Sequence, residues 1–434
     1  MKPMISNKVR AIFPSLVMGR LLLVSTFILL SLSPLIQAQE SPRKDLRKCV
    51  RTEDEKSPCE LLNTAGSIYL DLSQQTVDGY PRSIDNGTTW ETTEPRSWTS
   101  GFFPGILWQL YKYTENDSFL EQAQRWTNGL EEQKTAPTHD VGFIINNSFG
   151  HGYRNAGIEN YKETTLQAAE HLASRFNPRV GAIKSWDWGK WEFGYPVIID
   201  NMMNLELLFW AAKNGGDPEL ANIAKTHAMT TIRDLVRADG STFHVAEYDS
   251  QTGELIGQST HQGSRDDSTW ARGQAWGIYG FTVAYRETKE EIFLETARRL
   301  ADRFLERLPE DGVPYWDFDV PQEPGEPKDA SAAAIAASGL WELSSLVDET
   351  TSMIKYRQAS RNLVNNLSSD RYIAFTSGLP AVLQHSTGNK PDNSEIDVPI
   401  IYADYYFIEA LIRQSSSENS DSLSDQTLYL KIKN

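Results

Sequence analysis

The 434-residue chain is 40% hydrophobic and carries a formal net charge of −16, which suits one large domain or two ordinary ones. So acidic a chain argues against nucleic acid and against an anionic membrane surface as partners. It leaves an acidic substrate open, because a local cluster of Arg and His reverses the sign inside a single cleft.

At the N-terminus, Lys2, Lys8, Arg10 and Arg20 precede or flank an apolar run of 16 residues, LLLVSTFILLSLSPLI, which is followed by IQAQ. The run is short for a spanning helix and ends in Pro34 and a polar stretch. Residues 1–38 therefore read as a secretory signal cleaved after Ala38, with an uncleaved anchor as the alternative. Cleavage removes four positive charges and no acid, moving the net charge to −20. The expected location is periplasmic or secreted, without membrane association after cleavage. The only cysteines, Cys49 and Cys59, are too few for a four-ligand zinc site; in an exported protein they are either one small disulfide or two thiols.

Residues 39–58 and 414–434 are polar ends, and no Pro- or Gly-rich linker divides the chain between them. Residues 59–413 read as one domain. The 3.6-residue period predicts helices near 59–72, 99–114, 117–133, 160–176, 198–213, 217–238, 269–287, 290–308, 329–347, 352–368 and 401–413. Strand-like alternation is sparse, and 241–250 is its best case. The helices come in pairs. SWTSGFFPGILWQLYKY is apolar on most sides, whereas NDSFLEQAQRWTNGL has one apolar stripe. The first pattern belongs to a buried helix and the second to a covering one. Motifs rich in Trp, His, Asp or Gly begin near Trp98, His139, Asp200, Trp270, Asp329 and Tyr402. Six buried helices alternating with covering helices predict an all-α (α/α)6 toroid of six helical hairpins, its motifs gathered at one rim. The repeats are too dissimilar for a regular solenoid.

These motifs mix Trp and Tyr with His, Asp, Gln and Arg, a combination suited to sugar rings, which have apolar faces and a rim of hydroxyls. Trp108, Trp210 and Trp341 read as core; Trp98, Trp186, Trp188, Trp270 and Trp276 sit at predicted helix starts. Asp200, in YPVIIDNMMNLELLFWAA, is flanked by Ile198, Ile199, Met202 and Met203. It reads either as a first-turn Asp favoured by the helix dipole or as a desolvated carboxyl with a raised pKa, fit to donate a proton. Asp140, beside His139 in HDVGF, is the second carboxylate that glycoside cleavage commonly uses. Arg272 stands on an otherwise uncharged helix and needs an anion, internal or on a substrate. His244 and His261-Gln262 add donors, although a structural role suits each His taken alone. No zinc-like spacing, G-x-S-x-G, P-loop or dinucleotide fingerprint is present. Asp266-Asp267 and Asp317/Asp319 read as solvated loop acids before they read as a cation site.

At THQG…STWARGQAWGIYGF, EDGVPYWDFDVPQEP and DYYFIEALIR the chain resembles the unsaturated glucuronyl hydrolases of glycoside hydrolase family 88, from about Trp98 to Arg413. The resemblance implies an (α/α)6 barrel acting on lyase-made oligosaccharides that end in a 4,5-unsaturated uronic acid. It implies Asp200 as the catalytic acid/base and Asp140 as the holder of the sugar hydroxyls. His139, His244, Gln262, Trp270 and Arg272 are implied in binding the uronate, with Trp98, Trp186 and Trp276 as aromatic walls. No metal or organic cofactor is implied. Residues 383–399 depart most from the family; Ser386, Thr387 and Lys390 there are the expected contacts if the leaving sugar carries sulfate. An unsaturated rhamnogalacturonyl hydrolase, a non-catalytic glycan-binding toroid and a polysaccharide lyase are the competing readings. The sequence does not fix the oligomeric state.

Overall fold

The computed structural model of the protein describes residues 57–75, 78–191 and 194–415. Residues 1–38, expected to be a signal segment, Cys49 and the tail beyond 415 lie outside them. Cys59, in the first turn of α1 (Pro58–Gln74), is disulfide-bonded.

Helices alternate between an outer and an inner layer. The outer ones are α1, α3 (Asp117–Asn128), α5 (Glu159–Ala173), α7 (Glu219–Leu235), α9 (Glu291–Glu306) and α11 (Thr350–Leu367). Each buries one stripe; in α9 it is Phe293, Leu294, Ala297, Leu300, Ala301 and Phe304. The inner ones are α2 (Phe102–Thr114), α6 (Leu205–Lys213), α8 (Ala271–Thr288), α10 (Ala330–Leu346) and α12 (residues 401–415). Apart from polar last turns they are buried nearly all round, as apolar neighbours on every side require. In α10 the run Ala330–Ala337 has little side-chain bulk, so α8 and α11 approach it closely. The result is the (α/α)6 toroid.

The sixth inner element does not show in the helical period. Residues Gly142–Gly150 form a π-helix that continues directly into α4 (His151–Ala156). Two glycines and two asparagines in the π-helix hide it from any count based on 3.6-residue spacing or helix propensity. Gly142 is required by packing: a Cβ there would collide with Asn204, whose Oδ1 accepts from the Phe143 N–H at 2.8 Å. That bond joins the π-helix to the start of α6. π-Helical segments are rare and cluster at functional sites.

Small antiparallel sheets fill the loops: β1 (Tyr80–Ser83) pairs with β2 (Glu91–Thr93), and β3 (Phe176–Asn177) with β4 (Ala182–Ile183). In the largest, β5 (Tyr195–Ile198), β6 (Val245–Tyr248) and β7 (Leu255–Ser259) lie in that order, with Ile198 opposite Val245. The strand-like stretch 241–250 thus holds β6. The helix expected from 198 differs: residues 195–198 are an edge strand with Pro196 in it, Ile199–Met203 is a 3₁₀ turn, and α6 starts only at Leu205. Tertiary pairing overrides the local apolar pattern here.

Gly142→Ala is expected to lower stability by about 1–3 kcal/mol through overpacking against Asn204. Urea unfolding of the variant beside the parent protein checks this; equal midpoints would show that Asn204 can move away freely.

Candidate active site

The N-terminal ends of the inner elements converge on a cleft of about 720 Å³. Asp200 sits at its floor, on the 3₁₀ turn that ends β5, and is only 9% exposed. The Ile199 N–H donates to the His244 carbonyl at 3.0 Å. This extends the β5–β6 pairing and brings His244 Nε2 to 3.6 Å from Asp200 Oδ2. Burial pushes the Asp200 pKa up to about 7; Arg272 works against the shift and Asp140 adds to it. Desolvation therefore wins, and the first-turn dipole reading is not the dominant effect.

Both histidines of the floor are held neutral. Burial drives His244 well below its usual pKa, helped by the positive charge of His261 and Arg272. Its Nδ1 accepts from the backbone N–H groups of His261 and Gln262, each at 3.2 Å. The proton is thereby assigned to Nε2, facing Asp200. Burial likewise lowers His139, although Asp140, with Oδ1 at 3.3 Å from Nε2, opposes it. Asp140 also accepts from the Thr138 hydroxyl at 2.9 Å. Among the described residues, Asp200 Oδ2, His244 Nε2 and the Trp276 indole N–H are buried without a hydrogen-bond partner. Such atoms converging on one floor are what a polar ligand satisfies.

Arg272 lines the cleft, but its charge is already engaged inside the protein. Nη1 donates to Asp329 Oδ2 at 2.9 Å and to the Thr387 carbonyl at 2.6 Å, and Nη2 donates to the Gly388 carbonyl at 2.6 Å. The guanidinium lies over Trp270 at 4.4 Å and Tyr402 at 5.2 Å. Gln262 Nε2 joins the same Gly388 carbonyl at 3.1 Å. Of the two anions the sequence allowed for Arg272, the internal one is present.

The aromatic walls are composite. Trp98 packs with Phe143 and with Tyr402, at 5.5 and 4.9 Å between ring centroids. Trp186 packs at a tilt against the half-exposed Trp188 at 4.9 Å, with His261 against both. Asp140, Asp200, Trp98, His139, Trp186, Gln262 and Arg272 thus meet in one cleft. Trp270 and Trp276 stand behind it: Trp270 supports Arg272 and lies 4.5 Å from His244, and Trp276 backs Phe143. Five of the expected residues do not line the cleft: Trp270, Trp276 and His244 are buried behind it, and Ser386 and Lys390 are held elsewhere. Ser386 is fully buried, and Lys390 is held by Glu326 at 3.2 Å, neither being among the residues that line the cavity. The β8 (Ser386–Asn389) to β9 (Ser394–Val398) hairpin turns inward at Ser386 and Thr387 to carry carbonyls to Arg272. Asp317 and Asp319 are loop staples: Asp317 accepts from Ser264 N–H and the Ser268 hydroxyl, and Asp319 pairs with Arg307.

Sequence reasoning did not place Arg82, Arg96, Asp392 and Glu395 in the cleft. Arg82 and Glu395 lie on short edge strands and Arg96 and Asp392 in turns, all without helical period, where no local signal marks a wall. Arg82 is clasped by both oxygens of Glu395 at 2.6 and 3.0 Å, and Arg96 pairs with Glu94 at 2.7 Å at the open mouth. Tyr402, also lining the cleft, opens the DYYFIEAL helix, and that position was its signal.

Arg272→Met is expected to cost about 3–5 kcal/mol, because Asp329 would be left as an uncompensated buried charge. The double variant Arg272→Met/Asp329→Leu should recover part of that loss. Chemical unfolding of both checks it, and a single variant as stable as the parent would contradict the clamp.

Residues 71–374 match the sequence profile of Glycosyl Hydrolase Family 88. An unsaturated glucuronyl hydrolase of Formosa agariphila is 44% identical over 346 residues, covering 78% of this chain and 86% of the relative. One from Bacillus sp. strain GL1 is 38% identical, covering 77% and 91%. The crystal structure of an unsaturated glucuronyl hydrolase specific for heparin superposes with a TM-score of 0.77 at 41% identity, covering 83% of this chain and 98% of that one. With these matches spanning most of the described fold, the chain belongs to glycoside hydrolase family 88.

Proposed function

We propose that the protein removes a 4,5-unsaturated glucuronyl residue from the non-reducing end of lyase-made oligosaccharides. The observation that carries this is Asp200: a carboxyl with its pKa at about 7 on the floor of an aromatic-walled cleft. Such a group is an acid near neutral pH and a competent base once it has given up its proton.

The substrate is an enol ether. Asp200 donates its proton to C4, and the C4=C5 electrons form the new C–H bond, leaving an oxocarbenium at C5. Water adds at C5 and returns a proton to the Asp200 carboxylate. The C5 hemiketal opens to a ketone, and the hemiacetal left at C1 collapses to release the neighbouring sugar. His244, neutral and with Nε2 3.6 Å from Asp200, stands beside the carboxyl without supplying the full charge that would pull its pKa down. Asp140, fixed by Thr138 and His139, is placed to accept from sugar hydroxyls. Trp98 and the Trp186–Trp188 pair supply ring-stacking faces. A non-catalytic glycan-binding toroid would have no use for a protonated acid at this position.

A sulfate on the leaving sugar would meet Arg96 at the mouth. Its pair with Glu94 has 78% and 69% of the two side chains exposed, and such pairs hold weakly. We further propose export, by way of the segment 1–38, to an oxidising compartment. The disulfide at Cys59 fits such a location.

Purified protein should abolish the ultraviolet absorbance of the C4=C5 bond in glucuronyl-ended fragments, with rhamnogalacturonan fragments as the comparison set. Asp200→Asn should retain its fold and lose about 10³-fold or more in turnover. Absorbance unchanged on every fragment, or rising on intact polysaccharide, would refute the reaction. Because the protonated acid is the donor, the rate should fall as pH rises through about 7; a rate still climbing from pH 6 to 9 would exclude Asp200 as that donor. Arg96→Ala should lower kcat/KM on sulfated disaccharides more than on their unsulfated partners. N-terminal sequencing of the cell-free or periplasmic fraction should begin at Gln39, and an intact N-terminus on membranes would reverse the export reading.

A further inference from the structure

The inner elements that end in the cleft also line a second cavity at their other end. It has a volume of about 420 Å³ and draws on α2, the π-helix, α4, α6, α8 and α12. Phe143 faces both spaces, so one ring stands between them.

Its walls resemble those of a binding site more than a packing defect. Tyr279, Tyr405 and Tyr406 line it together with amides. Gln109 and Asn147 are 5% and 7% exposed, yet neither amide atom of Gln109 and not the Nδ2 of Asn147 has a hydrogen-bond partner of good geometry. Buried amides left open in this way mark a place where a hydroxylated ligand or ordered water completes the bonding. The acids of the cavity are committed. Burial opposes the Glu206 carboxylate, but Arg286 and Arg154 hold its pKa down at about 2, and Glu409 accepts from Tyr279 and Ser338 and pairs with Arg413. At the rim, Arg154 donates to the Asn146 side chain and carbonyl. No ion pair involves Arg154 or Lys112 among the described residues, and both are exposed. The rim therefore presents two exposed cations outside any ion pair among the described residues, Arg154 also stabilising the Glu206 carboxylate, beside aromatic rings and open amides.

We propose that this rear cavity is a second binding site, for a small hydroxylated monoanion of the sugar-acid class. The tyrosines take the ring face, Gln109 and Asn147 the hydroxyls, and Lys112 with Arg154 the carboxylate. The site is separate from the acid at Asp200, so its existence does not depend on the reaction proposed above.

Sodium glucuronate is the probe. Crystals of the full protein soaked in it should show the sugar acid in the rear cavity. Calorimetric titration should find that binding weakened at least about tenfold in Lys112→Ala/Arg154→Ala, given the strength of two charge-assisted contacts. Both substitutions are at exposed positions, and that variant should keep its turnover of unsaturated disaccharide within about twofold of the parent, within the spread expected of surface changes. Glucuronate found only in the catalytic cleft, equal affinity in the double variant, or no binding at millimolar concentration would each overturn the proposal. Failure of the catalytic reading would appear separately, as unchanged ultraviolet absorbance.

Discussion

Arg272 is buried to 1% exposure and touches four parts of the fold at once. From the first turn of α8 it reaches Asp329 at the head of α10 and the Thr387 and Gly388 carbonyls of the β8–β9 hairpin, with Trp270 on one face and Tyr402 near it. A planar fork with several donors is the one side chain able to meet a carboxylate and two carbonyls together. Its partners are in turn bound elsewhere: Asp329 caps α10 through Ser331, and Gly388 also receives Gln262. The cleft wall on this side is thus rigid, and the residues around Asp200 are held against a fixed support.

That rigidity matters for the proposed chemistry, which rests on one carboxyl in an apolar medium. Asp200 is surrounded by apolar neighbours, neutral histidines and an indole N–H, none of which carries the charge that would keep it ionised. Arg272 pulls the other way, but its contacts with Asp329 already answer much of its field. Desolvation and charge are balanced so that the carboxyl titrates near neutrality, where an acid/base is most useful. Asp404 shows the contrast. It too is fully buried with its pKa pushed up to about 7, yet it accepts from Tyr69, Val382 N–H and Leu383 N–H and holds α1 and the 382–383 loop to α12. The same shift accompanies an open oxygen in Asp200, as the proposed acid requires, and a filled one in Asp404, a structural anchor.

The π-helix links the two ends of the toroid. Asp140 immediately precedes it, Phe143 separates the two cavities, and Asn146 and Asn147 line the rear one. A wider helical repeat rotates successive side chains differently from an α-helix, so one short element serves both spaces. Its bond to Asn204, three residues beyond Asn201 on the turn that carries Asp200, keeps the two carboxylates of the cleft in register.

The amino-acid pattern by itself determined the helical layers, because a stripe or an all-round apolar surface is a local property that survives in any fold. It also singled out Asp200, since a carboxylate among Ile and Met is anomalous wherever it is placed, and it gathered the Trp, His and Gln motifs as one rim. What it could not resolve were features that exist only between distant segments. The π-helix lacks the period of a helix, and β5 shows itself only when paired with β6. Arg272 needed an anion, but whether that anion was Asp329 or a substrate depended on a contact 57 residues away in sequence. Ser386 and Lys390 had the right chemistry for a sulfate contact, and the hairpin's register turned one inward and tied the other to Glu326. Which polar groups remain unsatisfied, at the floor of the cleft and in the rear cavity, is decided by the tertiary structure alone, because only packing determines which donors and acceptors find each other.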